Sequence, residues 1–164
     1  LETPYKSIRI NGKVIYEPYK IAGLIKFLPQ FNFMLQDISV RQVFRSFEND
    51  FKDFVQIFPD FEKYYKRKLI EMSGGERRVV EIYTILTSKS LFCMLDEPFT
   101  HIMPVHIESV KHLIEREKLK KGIILIDHQY RNVIDICDRI YIIESGKTNL
   151  VLSKADFQKF GYLN

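Results

Sequence analysis

The segment Leu91-Phe92-Cys93-Met94-Leu95-Asp96-Glu97 is a short apolar run that ends in two acidic residues. Its length fits a buried β-strand, and strands of this kind belong to parallel sheets that helices cover on both faces. Open α/β sheets bind ligands at the carboxyl ends of their strands. There one acid can hold Mg²⁺ directly or through water, and a second can orient or deprotonate an attacking water. Strands also end in aspartate for turn chemistry alone, so the acid pair by itself leaves both interpretations open.

Helical and apolar patterns alternate on both sides of this segment. They predict helices over residues 76–87, 105–120, 132–137 and 154–160, and strands over residues 22–28, 91–95, 123–126, 139–143 and 149–152. An Asn11-Gly12 pair predicts a hairpin over residues 7–16. Strands that alternate with helices are typical of an α/β fold built on a parallel sheet.

Residues 39–68 interrupt this alternation with a helical pattern. Ser39 and Gln42 fit a capping box at its start, and Pro59 breaks its regular part. Phenylalanines recur at steps of three or four residues: Phe44, Phe47, Phe51, Phe54 and Phe58. This stripe predicts either the core of a helical subdomain or a groove that receives a partner helix.

The composition is that of an ordinary globular protein. Of the 164 residues, 46% are apolar and 28% are charged, which excludes the disordered and fibrous classes. The net charge of +4 permits an anionic partner but does not require one. Cys93 and Cys137 lie in apolar stretches, which favours buried thiols over a disulfide framework. No run approaches the length needed to span a bilayer.

Three further features are weak individually. Ser73-Gly74-Gly75-Glu76 fits a capping box, and its glycines would also let a phosphate approach the helix amides, so cap and anion site both remain open. His128 follows the strand at 123–126, and parallel pairing would bring it to the sheet edge that carries Asp96. Gln30, after another predicted strand, could contact a metal or a water.

Together these segments resemble the ABC ATPase family. Leu28-Pro29-Gln30, Met72-Ser73-Gly74-Gly75-Glu76, Leu95-Asp96-Glu97-Pro98 and Asp127-His128 follow the order and approximate spacing of its motifs, and the resemblance runs from about Ser7 to Leu152. It implies a partial P-loop NTPase (RecA-like) core in a single cassette, formed by residues 1–38 and 69–164, with residues 39–68 as the inserted helical subdomain.

The resemblance also implies a role for each motif residue. Asp96 would be the Walker B aspartate that holds the metal, Glu97 the catalytic base and His128 the catalytic switch histidine. Gln30 would be the Q-loop glutamine, which contacts both nucleotide and metal. The signature motif that binds the nucleotide would be Ser73, Gly74, Gly75 and Glu76.

The sequence departs from the family at two places. It contains no G-x-x-x-x-G-K-[ST] phosphate loop: at Gly146-Lys147-Thr148 the first glycine is replaced by Tyr141, and residues 144–148 read as a hairpin turn. Truncation upstream of Leu1 is the expected explanation, with a cassette that evolved without the loop as the alternative. Met103 stands where the family's D-loop usually carries aspartate. In the family this loop couples two ATP sites across a dimer, and methionine lacks the carboxylate.

The resemblance implies an ATP-hydrolysing subunit of an ABC transporter that uses ATP and Mg²⁺. Its expected partners are a transmembrane permease subunit and a second cassette, at the cytoplasmic face of a membrane, and no nucleic acid is expected. The alternatives are a soluble ABC ATPase in DNA repair or translation, or a non-catalytic regulatory cassette. The chain by itself is expected to bind ATP negligibly and to expose half of its sheet.

Overall fold

The computed structural model describes residues 8–161, and the chain divides into two compact units, Leu1–Ile126 and Asp127–Asn164. The division into a core of residues 1–38 and 69–164 with an insert at 39–68 stays a prediction. Ser7, the first residue of the predicted hairpin, lies outside the described residues. Among the described residues, no helix has both the length and the apolarity that crossing a bilayer requires.

A short hairpin comes first. Strands β1 (Ile8–Ile10) and β2 (Lys13–Ile15) pair antiparallel, with Ile8 opposite Ile15. Between them Asn11 and Gly12 have φ angles of 50° and 78°. Two successive positive φ values match the twist of a tight hairpin turn, and asparagine followed by glycine tolerates them best. The predicted hairpin is confirmed for these residues.

Three strands form the central parallel sheet in the order β3, β4, β5: Ile25–Leu28, Phe92–Asp96 and Gly122–Ile126. Leu28 pairs with Leu95, and Asp96 pairs with Ile126. Strand β3 begins three residues later than predicted, because Gly23 has a φ of 71° and the amide of Leu24 closes a turn onto Ile21 O. The predicted parallel sheet is confirmed.

Helices α3 (Gly74–Thr87) and α4 (Pro104–Lys118) connect these strands. The strand residues Leu28, Cys93 and Leu95 are almost completely buried. Alternate positions face the other side, where Phe27, Ile124 and Ile126 each retain about half of their exposure (50–53%). The strand pattern predicted helices on both faces of the sheet, and this prediction is wrong for the second face, which is partly exposed. The exposure agrees with the separate expectation that the chain exposes half of its sheet.

Residues 39–68 form helices α1 (Val40–Ser46) and α2 (Phe51–Ile57) and a 3₁₀ helix over Pro59–Tyr64. The predicted capping box is present, since Gln42 N donates to Ser39 Oγ and Ser39 N donates to Gln42 Oε1. A bridge between Ser39 and Lys68 joins the two ends of the segment.

The phenylalanine stripe is largely core. Phe44, Phe54 and Phe58 are at most 2% exposed, whereas Phe47 and Phe51 are half-buried. The ring of Phe54 lies 4.9 Å from that of Tyr83 in α3, so the stripe packs the helical segment onto α3. The core interpretation is confirmed for these three buried rings, whereas a separate subdomain formed by residues 39–68 stays a prediction.

The second unit contains α5 (Tyr130–Ile134), the antiparallel strands β6 (Tyr141–Glu144) and β7 (Lys147–Leu150), and α6 (Lys154–Lys159). Ser145 and Gly146 have φ angles of 50° and 76° and form the turn between the strands, so the hairpin predicted at residues 144–148 is confirmed. Helix α5 begins two residues earlier than predicted and ends at Ile134, although the amide of Cys137 still donates to Val133 O.

Candidate functional site

The carboxyl ends of β3 and β4 bring two predicted site residues to one edge of the sheet. The two strands are parallel neighbours, and Leu28 pairs with Leu95. Asp96 is the next residue after Leu95, and Gln30 lies two residues beyond Leu28. Gln30 is exposed and Asp96 is half-buried, so both remain accessible to solvent. This is the edge at which α/β sheets bind ligands.

Glu97 has an unusual backbone conformation directly after β4. Its φ angle is +46°, in the left-handed region that non-glycine residues rarely occupy. Its amide donates to Ile126 O at 2.7 Å, and the Thr100 amide donates to Glu97 O at 3.3 Å. The Thr100 hydroxyl donates to Glu97 Oε2 at 3.1 Å. Conformations of this kind cost about 1–3 kcal/mol and persist where the surroundings enforce them, often at functional sites.

His128 lies two residues after β5 ends and is exposed. It belongs to the second compact unit, whereas Asp96 and Glu97 belong to the first. Its proposed position beside the acid pair therefore stays a prediction.

Ser73 is the N-cap of α3, as predicted, but the helix begins at Gly74 and not at Glu76. The reason is the cap itself: Glu76 N donates to Ser73 Oγ at 3.2 Å, which places Gly74 and Gly75 in the first turn. In return Ser73 N donates to Glu76 Oε2 at 2.8 Å. The Glu76 carboxylate therefore has an internal structural function, and its predicted nucleotide contact stays a prediction.

Gly75 packs against the loop that follows the acid pair. A Cβ atom at this position would lie 2.3 Å from the carbonyl oxygen of His101, whereas one on Gly74 would come no closer than 3.8 Å, to Asn32 Nδ2. His101 itself has a φ of 64°. Gly75 is thus required by packing within the chain, independently of any phosphate.

Sequence reasoning missed two buried charged residues of α3. Arg78 and Glu81 have side chains that are 3% and 1% exposed, and Arg78 Nη1 lies 3.8 Å from Glu81 Oε2. Burial raises the pKa of Glu81, against the hydrogen bonds that it accepts from the amides of Met34 and Phe33. The available signal was the position of the two opposite charges, because Arg78 directly precedes the largely apolar run Val79–Leu86 and Glu81 lies within it. Such residues are seldom fully buried unless they are paired.

The acid pair fits a magnesium–nucleotide site. Mg²⁺ is usually held by one or two carboxylates together with phosphate oxygens and water, not by a cage of protein ligands. Among residues 8–161, no group of three or more His, Cys, Asp or Glu side chains could hold a metal by itself. The half-buried carboxylate of Asp96, beside Glu97 at the end of β4, supplies the donors that Mg²⁺ requires from a protein in such a site.

The sequence matches a known family over most of its first two-thirds. The family model described as ABC transporter matches residues 2–100. The lipopolysaccharide export system ATP-binding protein LptB of Haemophilus influenzae is 39% identical over 77 residues, which are 46% of this chain and 32% of the relative. A probable ABC transporter ATP-binding protein of Azorhizobium caulinodans is 40% identical over 82 residues, 49% of this chain and 29% of the relative.

The fold is similar to that of a solved ATP binding subunit of an ABC transporter, with a TM-score of 0.77 and 18% identity, over 97% of this chain and 72% of the other. An RNase-L inhibitor structure gives a TM-score of 0.59 with 24% identity, over 75% of this chain and 26% of the other. The matched regions span about a third of the curated relatives' lengths, 32% and 29%. Because the family model covers more than half of the sequence, this chain belongs to the ABC transporter family, as part of its ATP-binding cassette.

Proposed function

We propose that this chain forms part of the ATP-hydrolysing subunit of an ABC transporter. The observation that carries the proposal is Glu97, which follows β4 directly after Asp96 and is held at a φ of +46° by bonds to Ile126 and Thr100. A fixed carboxylate at the carboxyl end of a parallel strand is suited to act as a general base.

Each predicted site residue has a role in this proposal. Bound Mg²⁺ would neutralise charge on the phosphates, with Asp96 as its protein ligand and Gln30 as a contact to the metal or its water. Glu97 would accept a proton from the attacking water at a carboxylate oxygen. His128 would contact the terminal phosphate from the loop after β5.

The signature residues Ser73–Glu76 would serve a nucleotide held by a second cassette. They open a helix of 14 residues, so its first amides and its dipole both favour an anion. Binding of ATP would close the two cassettes on each other and hydrolysis would release them. The proposed partner at the helical segment 39–68 is a transmembrane permease subunit, at the cytoplasmic face of the membrane. The export system named for LptB supports a transport role.

The chain by itself should bind Mg-ATP negligibly, because the sequence contains no phosphate loop. Isothermal titration calorimetry of the 164-residue chain tests this directly. Micromolar affinity would contradict it and would require another phosphate-binding element in these residues.

Substitution of Glu97 by glutamine, in the assembled ATPase that contains this chain, tests the catalytic assignment. Loss of the general base should lower the turnover of ATP by about 10²- to 10⁴-fold, while ATP binding is retained. Glu108→Gln is the matched control, because that side chain is 70% exposed on α4. Unchanged turnover in Glu97→Gln would remove this residue from the role.

Purification of the assembly from membranes separates the classes of function. Co-purification of a multi-spanning membrane protein supports the transporter. A soluble ATPase that is active without such a partner would support the DNA-repair or translation alternative. An assembly whose ATP turnover is unchanged when Asp96 and Glu97 are substituted would support a regulatory cassette.

A further inference from the structure

Arg78 joins the two loops that flank the candidate site. Its side chain projects from α3 and is 3% exposed. Nη1 donates to Pro29 O at 2.5 Å, and Nη2 donates to Asp96 O at 2.6 Å and to Glu97 O at 3.2 Å. One guanidinium group therefore binds the main chain immediately before Gln30 and the main chain of both acids.

Glu81, one turn further along α3, binds the loop after Gln30. Its Oε1 accepts hydrogen bonds from the amides of Phe33 and Met34 at 2.9 and 3.1 Å. Asn32, in the same loop, donates to Gly74 O at 3.1 Å. Hydrogen bonds therefore connect the segment 29–34 to α3 at both of its ends and at Asn32.

We propose that Arg78 and Glu81 form a positioning pair that couples the conformation of residues 29–34 to the backbone of Glu97. This inference rests on the proposed function, in which Gln30 and Glu97 serve the same nucleotide. Arg78 is the shared element, because it contacts Glu81, Pro29 and both acid carbonyls. A displacement of the Gln30 loop moves the carbonyl of Pro29, to which Arg78 donates, and the two amides that donate to Glu81. It thereby changes how Arg78 supports the strained backbone of Glu97.

Stability alone does not explain why charges occupy these positions. A buried ion pair pays a large desolvation cost, and apolar residues of similar volume are often as stabilising. What apolar residues cannot supply is a planar group that donates to carbonyls of two separate loops and a carboxylate that accepts two amides. The pair therefore fixes the relative positions of two loops and not merely the packing of α3.

Glu81→Gln tests the coupling in the chain itself. Glutamine keeps an oxygen that can accept from the amides of Phe33 and Met34, but it removes the charge that orients Arg78. Residue-resolved amide exchange by NMR should show the amides of Glu97 and Thr100 exchanging about fivefold faster or more, although Glu81 makes no hydrogen bond to either. Glu108→Gln, on the exposed face of α4, should leave both rates unchanged.

A kinetic measurement on the assembled ATPase provides a second readout. Glu81→Gln and Arg78→Lys should each lower kcat about tenfold with little change in KM for ATP, because a positioning defect acts on the reaction and not on nucleotide binding. Arg78→Lys keeps the charge but loses the planar fork, so it remains informative if larger changes at this site prevent folding.

Faster exchange confined to residues 30–36 in a folded Glu81→Gln chain would overturn the proposal, since the pair would then act only locally. Unchanged kcat in both variants would also overturn it. These results differ from a failure of the proposed function, in which Glu97→Gln itself leaves ATP turnover unchanged.

Discussion

The hydroxyl of Tyr64 donates a 2.8 Å hydrogen bond to Oε1 of Glu76. Tyr64 ends the 3₁₀ helix of the helical segment, and Glu76 lies in the first turn of α3. Burial alone would raise the pKa of the Glu76 carboxyl, but hydrogen bonds from the Ser73 amide and from Tyr64 outweigh burial and lower this pKa. The capping carboxylate is therefore shared between α3 and the helical segment.

Tyr64→Phe should lower the free energy of unfolding by about 1.5–3 kcal/mol near neutral pH, because it removes a hydrogen bond to a charged group. Since the pKa of Glu76 is lowered in the folded state, its stabilisation is present above the unfolded pKa and is lost as pH falls. The difference in unfolding free energy between the unsubstituted chain and Tyr64→Phe should therefore be smaller at acidic pH. Urea unfolding at pH 7 and pH 3 measures it.

Tyr141→Phe is the control for this experiment, because Tyr141 is 53% exposed on β6 and its unfolding midpoint should stay unchanged at both pH values. A Tyr64→Phe effect of equal size at pH 7 and pH 3 would show that the hydroxyl does not act through the Glu76 carboxylate.

Gly75→Ala should destabilise the chain by about 1–3 kcal/mol, because its Cβ would lie 2.3 Å from His101 O and the loop would have to shift. Gly74→Ala is the matched control. Its Cβ has ordinary space, 3.8 Å from Asn32, and alanine is favoured over glycine in a helix. Denaturant unfolding of both variants makes the comparison. Equal stabilities would show that the close approach to His101 is not a constraint.

Phe54→Ala should cost about 3–5 kcal/mol of unfolding free energy, the usual loss for a fully buried phenylalanine. The ring is 0% exposed and contacts rings of both the helical segment and α3. The smaller change Phe54→Leu, with a loss on the order of 1 kcal/mol, is informative if the alanine variant does not fold. Phe31→Ala, at a side chain 71% exposed, should change stability by no more than about 0.5 kcal/mol. A small loss in both Phe54 variants would argue against this residue as the centre of the core.

Cys93 should resist alkylation in the native chain. Burial raises the pKa of this thiol to about 12, and only the thiolate is nucleophilic. The thiolate is disfavoured in the folded chain. The contribution of Cys93 to stability is therefore complete below the pKa that this thiol has in the unfolded chain, and it is lost as pH rises toward 12. Iodoacetamide labelling at pH 8, followed by peptide mass spectrometry, should modify the half-buried Cys137 first and Cys93 only after urea is added. Modification of both at equal rates would contradict the buried environment.

Local sequence signals were sufficient for several features of this chain. Asn11-Gly12 specified its turn, since few residue pairs tolerate two positive φ angles. Ser39 and Ser73 specified the capping boxes of α1 and α3, because the cap requires only residues three positions apart. Element boundaries were less accurate: α3 begins at Gly74 because the cap at Ser73, and not the first favourable helix former, sets the start of the helix.

The sequence by itself determined the strand that leads into Asp96 and Glu97, because an apolar run followed by two acids can be recognised without knowledge of its neighbours in space. Only the tertiary structure decided which groups surround that acid pair. Arg78 reaches the carbonyls of Pro29 and Glu97 across 49 and 19 positions of the chain, and Gly75 meets His101 O. Hydrogen bonds and steric contacts depend on distance in space, and no local periodicity encodes which distant main-chain atoms a buried side chain will meet.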